Sequence, residues 1–94
     1  MMFQVKFSIH ALQRMFERNI SEESVVSALN EGEVIVEYPD DKPYPSKLIL
    51  YFEKDIPLHV VVAVDEENQH HYVVTAYIPD AHLWESGFRK RRSK

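Results

Sequence analysis

The feature that most constrains this fold is a change of hydrophobic period at Gly32. Before that glycine the apolar residues recur every three or four positions, which is the spacing of an amphipathic helix. After it, apolar and polar residues alternate in segments rich in Val, Ile, Tyr and Leu, which is the pattern of strands. A chain of 94 residues provides one hydrophobic core, so helices and strands must share it. The sequence therefore predicts a single α+β domain.

The first helix is predicted over residues 9–18. Ser8 can cap its amino end, because the hydroxyl can accept a hydrogen bond from a free amide of the first turn. Asn19 can end it in the left-handed conformation. Its predicted core stripe consists of Ile9, Leu12 and Phe16. A short strand over residues 3–7 precedes it, and the predicted buried residues of that strand are Phe3, Val5 and Phe7.

The second helix is predicted between Ser21 and Gly32. Ser21 caps it, while Glu22 and Glu23 place negative charge at the positive end of the helix dipole. Its predicted buried stripe consists of Val25, Ala28 and Leu29. Because only two or three residues link the helices, we expect an antiparallel helical hairpin.

Strands and short turns are predicted for most of the chain after Gly32. The predicted strands are residues 33–38, 47–53, 58–65 and 71–78. The predicted fold is a helical hairpin packed against an antiparallel sheet, in the order β–α–α–β–β–β–β. Trp84 and Phe88 have the spacing of a short C-terminal helix. We expect them to form a lid on the core, with a base-stacking platform as the alternative.

The charge of the chain is divided between an acidic body and a basic tail. Residues 1–88 contain six Lys or Arg and fifteen Asp or Glu, which gives −9. Residues 89–94 contain five basic residues and no acid, which brings the total to −4. The domain is therefore predicted over 1–88 and the tail over 89–94. The tail can hold phosphate through counterion release, or it can be a disordered solubilising end.

The composition also limits the sites and locations to be expected. The chain contains no cysteine, which excludes disulfides, thiolate zinc sites and iron–sulfur clusters. His70, His71 and His82 lack a recognised metal-ligand spacing. No apolar run approaches the roughly 20 residues of a membrane span, and the amino end lacks the apolar stretch of a signal peptide. We therefore expect a soluble, cytoplasmic protein with no cofactor, no metal and no membrane partner.

Strand parity predicts a polar patch on the sheet face away from the helices. The predicted inward residues of the last two strands are Val60, Val62, Val64, Tyr72, Val74, Ala76 and Ile78. The predicted outward residues are His59, Val61, Ala63, Val73, Thr75 and Tyr77. Hairpin register places His59 opposite Thr75 or Tyr77, and it places Tyr51 beside His59.

Such a patch has the groups that phosphodiester chemistry needs. A histidine can transfer a proton near neutral pH, and tyrosine or threonine hydroxyls can hold a phosphate oxygen. Aromatic rings can stack on unpaired bases. One alternative is that these residue types simply favour strands. Another is a homodimer interface that includes Val61, Val73 and Tyr51.

A second polar set lies on the first predicted helix, where His10, Arg14 and Arg18 recur at i, i+4 and i+8. His10 falls in the first turn, where the helix dipole attracts anions and favours a neutral ring that can act as a base. Arg14 can bind a phosphate with two hydrogen bonds. The alternative is an exposed helix face, with Arg14 or Arg18 paired to Glu17 or Glu22.

Several motifs give the chain a family resemblance. They are S-x-H-A-x-x-R-M-x-x-R-x-I-S at 8–21, Gly32, Y-P-S at 44–46, P-L-H-V-V at 57–61, T-x-Y-x-P-D at 75–80, and Trp84. Over nearly its whole length the chain resembles a domain-of-unknown-function family of small bacterial and cyanobacterial proteins. That family is grouped with RelE/ParE-type toxins and their barnase-like relatives. The resemblance implies a RelE-like fold whose active surface is the open sheet face, with contributions from the helices and the C-terminal tail.

The resemblance and the residue patterns together predict a metal-independent endoribonuclease. The predicted catalytic residues are His10, Arg14, His59, Thr75 and Tyr77. The two histidines would carry protons, Arg14 would stabilise the phosphorane, and the two hydroxyls would orient the phosphate. The predicted RNA-binding residues are Tyr51, Arg18, Arg89, Lys90, Arg91 and Arg92. The alternative is a non-catalytic RNA- or protein-binding module, and the expected partners are RNA, the ribosome or a co-encoded antitoxin.

Overall fold

The computed structural model describes residues 3–93, in which two helices pack on one face of a five-stranded mixed sheet. The elements are β1 (Gln4–Phe7), α1 (Ile9–Glu17), α2 (Glu22–Glu31), β2 (Glu33–Tyr38), β3 (Ser46–Glu53), β4 (Ile56–Asp65) and β5 (His70–Tyr77). The predicted α+β fold and its element order are confirmed. Within the described residues, neither helix is long and apolar enough to cross a membrane.

The strands lie in the order β1-β5-β4-β3-β2, and β1 runs parallel to β5. The prediction of a purely antiparallel sheet is therefore wrong at this edge. The pairing joins the first strand of the chain to the last one. A periodic pattern gives no information about the direction of a partner strand that lies so far away in the sequence. The other three pairs are antiparallel, as predicted.

The predicted helix ends are confirmed. The hydroxyl of Ser8 accepts from the amide of Ala11 at 3.0 Å, and the hydroxyl of Ser21 accepts from the amide of Ser24 at 3.0 Å. Asn19 has a φ of 60° after α1, which is the left-handed conformation expected there.

Gly32 ends α2 because of a close approach rather than a left-handed turn. Its φ is −78°, which any residue can adopt. A Cβ at this position would lie 2.5 Å from both the Ala28 carbonyl oxygen and Cγ2 of Ile49. Glycine therefore allows the end of α2 to lie directly against β3.

The core stripe predicted for α1 is wrong. Ala11 and Met15 are the buried residues of this helix, whereas Ile9, Leu12 and Phe16 are 76%, 37% and 87% exposed. Both sets are apolar at helical spacing, so periodicity alone allowed either face of α1 to meet the sheet. In α2, the predicted stripe is confirmed: two of its residues are buried and the third is partly buried.

A β-bulge in β5 changes the predicted parity. Val61 pairs with Thr75, but the next pair is Val62 with Val73. Val74 is the extra residue between these pairs, so every position before it changes face. Val73 is therefore buried in the core at 1% exposed, and its predicted outward place is wrong. Tyr72 and Val74 were therefore wrongly predicted to lie in the core. So was Ile78, which follows the end of β5 and is 46% exposed.

The hairpin between β3 and β4 differs from its predicted register by one position. Leu50 pairs with His59, and Tyr51 pairs with Leu58. A two-residue turn with positive φ at Lys54 (50°) and Asp55 (69°) produces this register. Because of it, Tyr51 faces the helices and packs against the core. The predicted place of Tyr51 beside His59 is wrong.

Residues 79–93, the C-terminal flap, lie against the sheet face opposite the helices, which we call the open face. The predicted C-terminal helix is absent from this segment, which contains turns and a β-bridge between Trp84 and Arg91. A backbone bond of 2.9 Å from the amide of Arg92 to the carbonyl of Leu83 folds the flap on itself. The flap includes most of the predicted basic tail, whose last residue, Lys94, lies outside the described residues.

Candidate functional site

His59 faces the open side of the sheet, as predicted, but its side chain is fully buried, with 0% exposed. The C-terminal flap covers it. The Trp84 ring lies edge-on to the His59 ring, with 4.5 Å between the ring centroids. Burial lowers the pKa of His59, and the hydrogen bond with the carbonyl of Phe88 partly opposes this effect. The imidazole is therefore neutral at physiological pH.

The two ring nitrogens of His59 have different partners. Nε2 lies 2.9 Å from the carbonyl oxygen of Phe88, and Nδ1 lies 3.2 Å from the hydroxyl of Tyr77. A carbonyl can only accept, so Nε2 carries the proton and donates it. In a neutral ring Nδ1 then accepts the hydroxyl proton of Tyr77. The carbonyl of Phe88 orients the His59 ring, so that Nδ1 can act as a base toward the hydroxyl of Tyr77. We call these two residues the His59–Tyr77 pair.

The phenol of Tyr77 is influenced by groups from four parts of the chain, which are β2, β4, the end of α1 and the flap. Burial is the main cause that raises the pKa of Tyr77, and Tyr38 adds to it. The positive charges of Arg91 and Arg18 act in the opposite direction, since a nearby cation favours the phenolate. Tyr77 itself is only partly buried. The charges of two arginine side chains thus act on a partly accessible phenol.

The two arginines reach this position from different elements. Arg18, at the end of α1, donates to the carbonyl of Ala76 at 2.9 Å and to the hydroxyl of Thr75 at 3.3 Å. These bonds hold its guanidinium at the edge of β5. Arg91 belongs to the flap, and its guanidinium lies 5.7 Å from the centroid of the Trp84 ring. Both arginines are exposed to solvent, so each can still bind a phosphate.

The structure brings together several of the residues that the sequence predicted. Those near the His59–Tyr77 pair are Thr75, Arg18 and Arg91. The pairing of His59 with Tyr77 across β4 and β5 is one of the two predicted registers. The sequence did not predict that Tyr38 belongs to this site. Tyr38 lies on β2, which joins the sheet only through its pairing with β3.

Other predicted residues lie elsewhere. His10 and Arg14 are exposed on α1, on the helical side of the sheet. Arg14 forms an ion pair of 3.5 Å with Glu17, which is the predicted alternative. The sheet therefore separates His10 from His59, and the two histidines lie on opposite sides of it.

The remaining basic residues of the flap are exposed. Arg89 forms two charge-assisted hydrogen bonds of 3.0 Å and 2.8 Å to Oε1 of Glu33. Arg92 donates to the carbonyl of Ala81 at 3.1 Å. The Arg89 bonds therefore join the flap to β2, whereas the Arg92 bond lies within the flap. Lys90 is also exposed.

The histidines outside this site lie apart from one another. Nδ1 of His70 lies 3.1 Å from the hydroxyl of Tyr72, whereas the ring of His71 stacks on Phe3 with centroids 4.3 Å apart. These partners lie on opposite faces of the sheet, since Phe3 packs against the core and Tyr72 lines a cavity on the open face. Within residues 3–93, no group of three or more His, Asp and Glu side chains is arranged to hold a metal ion.

A cavity of about 450 Å³ lies on the open face beside the loop that joins β2 and β3. The rings of Tyr44 and Tyr72 stack at its side, with centroids 5.5 Å apart and planes 5° apart. Val61 and Ala63 of β4 also line it. The sequence prediction missed this cavity because the bulge in β5 directs Tyr72 to the open face.

One comparison with known proteins identifies a family. The model of a family described as "Domain of unknown function (DUF4258)" matches residues 7–78. The matched part includes both residues of the His59–Tyr77 pair and ends before the C-terminal flap. No curated protein and no solved structure matches the chain.

Proposed function

Since the chain belongs to the DUF4258 family, a family of unknown function, we propose its function from the site itself: a metal-independent endoribonuclease that acts on the open face. The observation that carries the proposal is the hydrogen-bonded His59–Tyr77 pair, on whose phenol the positive charges of Arg18 and Arg91 act. A base joined to an accessible hydroxyl can transfer protons. Two guanidiniums beside it can hold and neutralise a phosphate.

The proposed reaction begins with attack of the RNA 2′-hydroxyl on the adjacent phosphorus. Tyr77 takes the proton of that hydroxyl and passes its own proton to Nδ1 of His59. The same route then returns a proton to the departing 5′-oxygen. The products are a 2′,3′-cyclic phosphate and a 5′-hydroxyl end. DNA lacks the 2′-hydroxyl, so it resists cleavage.

The other predicted residues have revised roles in this proposal. Arg18 and Arg91 stabilise the charge of the phosphorane in place of Arg14. Thr75 fixes the guanidinium of Arg18 by accepting its hydrogen bond. The His59 ring, held by the carbonyl of Phe88, is oriented toward Tyr77. His10 has no part in the reaction, because it lies on the helical side of the sheet.

We also propose a relation to RelE/ParE-type toxins. Support comes from the element order β–α–α–β–β–β–β and from the motifs at 8–21, 57–61 and 75–80. A further point of support is that the site lies on the open sheet face and includes residues of a helix and of the C-terminal segment. A co-encoded antitoxin and the ribosome are the partners that this relation implies.

The test is cleavage of a labelled single-stranded RNA by purified protein in the presence of EDTA. We expect Tyr77→Phe to reduce the rate by about 100-fold or more, because it removes the proton-transfer group and keeps the ring. The matched control is His10→Gln, on the other side of the sheet, which should retain the wild-type rate. A chimeric DNA strand with a single ribonucleotide should be cut only at that residue.

A rate that is the same for Tyr77→Phe and wild type would exclude the proposed proton route. The second candidate function is a non-catalytic RNA-binding module, which is favoured by the complete burial of His59. No cleavage with or without ribosomes, together with RNA binding that Arg18→Ala and Arg91→Ala weaken, would establish this second function instead.

A further inference from the structure

We propose that the cavity beside Tyr44 and Tyr72 is a subsite for a guanine base of single-stranded RNA. This inference rests on the proposed function and specifies its substrate. The cavity shares the open face with the His59–Tyr77 pair. Val61 lines the cavity and lies two residues from His59 on β4, which is about 7 Å along a strand. A nucleotide next to the reacting phosphate can therefore place its base there.

The shape of the cavity suits a flat aromatic ligand. Its volume of about 450 Å³ lies within the range of roughly 300–1,000 Å³ that is typical of small-ligand sites. Val61 and Ala63 provide an apolar surface, and the parallel rings of Tyr44 and Tyr72 provide a platform that a base can extend. Stacking of bases on aromatic rings is a major source of affinity for single-stranded nucleic acids.

Contacts behind the cavity hold the two tyrosines in place. The hydroxyl of Tyr72 lies 3.1 Å from Nδ1 of His70. The negative charge of Asp65 is the main cause that raises the pKa of Tyr44, which keeps that phenol protonated. Asp65 is itself buried and accepts two hydrogen bonds from Asn68, at 3.2 Å and 2.8 Å. A platform fixed before binding loses little conformational entropy when a base stacks on it.

The charged groups of the cavity favour guanine over the other bases. Asp41 and Lys42 both line it, and the hydroxyl of Ser46 donates to Oδ2 of Asp41, which fixes this carboxylate. The Watson–Crick edge of guanine presents two adjacent N–H donors, at N1 and N2, followed by the O6 acceptor. A carboxylate accepts from the two donors, and a neighbouring ammonium donates to O6. Adenine, cytosine and uracil each place an acceptor where one of these donors is required.

The test measures the affinity of short fluorescent uridine-rich RNAs that contain one central G, A, C or inosine. Tyr77→Phe serves as the parent protein, so that the RNA stays intact. We expect the G-containing RNA to bind about 10-fold more tightly than the A-containing RNA, which corresponds to one good carboxylate–base pair. Inosine keeps N1–H and lacks the N2 amino group, so it should bind with intermediate affinity.

Matched variants locate the preference within the cavity. Asp41→Asn should abolish the preference for G, whereas Asp40→Asn should retain it, because Asp40 does not line the cavity. In methyl NMR spectra, guanosine monophosphate should shift the signals of Val61 and Ala63. Both variants change an exposed loop residue, so the fold is retained.

Each failure has a distinct meaning. Equal affinity for all four RNAs, with binding still dependent on Arg18 and Arg91, would overturn the guanine subsite. It would not affect the proposal that RNA binds at the two arginines. A preference for G that survives Asp41→Asn would also overturn it. No binding of any RNA by the protein would overturn both the subsite and the proposed function.

Discussion

At the scale of single residues, two neighbours on α1 show what decides burial. Met15 is 2% exposed, and Phe16, the larger apolar residue, is 87% exposed. The hydrophobic effect rewards burial of either side chain. The sheet presents a surface of small residues, including Val60, Val62 and Ala76. The unbranched Met15 adapts to this surface, with Ala11 beside it.

We expect Met15→Ala to lower the free energy of unfolding by about 2–5 kcal/mol, because it removes buried methylenes and leaves a cavity. Phe16→Ala should change it by less than about 0.5 kcal/mol, because the ring lies in solvent. Urea unfolding followed by circular dichroism measures both values. Equal losses for the two variants would show that Phe16 is covered in solution.

At the scale of elements, the C-terminal flap determines the character of the site. It buries His59, supplies the carbonyl of Phe88 as its partner, and carries Arg91, whose charge acts on Tyr77. The positive φ values of Gly87 (90°) and Phe88 (61°) allow the flap to turn back across the sheet. Its main contact is Trp84, which is 5% exposed. The flap is therefore part of the site as well as part of the fold.

We expect Trp84→Ala to destabilise the protein by about 3–5 kcal/mol, since it removes a large buried ring. The matched control is Leu83→Ala, whose side chain is 47% exposed and whose effect should be below about 1 kcal/mol. Trp84→Ala should also admit water to His59, so the pKa of His59 should rise toward its ordinary value. NMR titration of the imidazole measures this change. An unchanged pKa would show that groups other than Trp84 keep water away from His59.

At the scale of the whole molecule, the buried His59 and the partly buried His71 couple folding to pH. Burial is the main cause that lowers the pKa of His59 and of His71 in the folded protein. In the unfolded chain both rings titrate near pH 6.5. Below that pH the unfolded chain takes up protons that the folded protein excludes, so stability falls as the pH falls. Asp65 affects stability in a separate range, below about pH 4. Its pKa is lowered in the folded protein, mainly by the hydrogen bond from Asn68, so stability falls further as the pH falls through that range.

We therefore expect the urea midpoint to decrease steadily from pH 7 to pH 5. The loss is about 1.4 kcal/mol for each unit by which a folded pKa lies below the unfolded one. His71→Gln should make this decrease smaller, while His82→Gln, at an exposed position, should leave it unchanged. A midpoint that is constant over this range would contradict a neutral His59 and a neutral His71.

Much of the candidate site could be predicted from the sequence, because strand alternation, hairpin register and helix spacing are patterns within short stretches of the chain. The sequence selected His59, Thr75 and Tyr77 as outward residues of two adjacent strands, and a short turn between those strands limits their register. Arg18 was selected by helix spacing. The sequence did not predict the burial of His59 or the presence of Tyr38, because both depend on segments that are distant in the chain.

The sequence by itself determined the element order, both helix caps at Ser8 and Ser21, and the positions of the strands. Each of these depends on interactions between residues a few positions apart, which a periodic pattern or a cap records directly. The tertiary structure alone decided the parallel pairing of β1, the bulge at Val74, the buried face of α1, and the cover that the flap places over His59. These features result from competition between alternative packings of distant segments. The free energies of these alternative packings differ because of contacts between distant residues, and no local pattern in the sequence records such contacts.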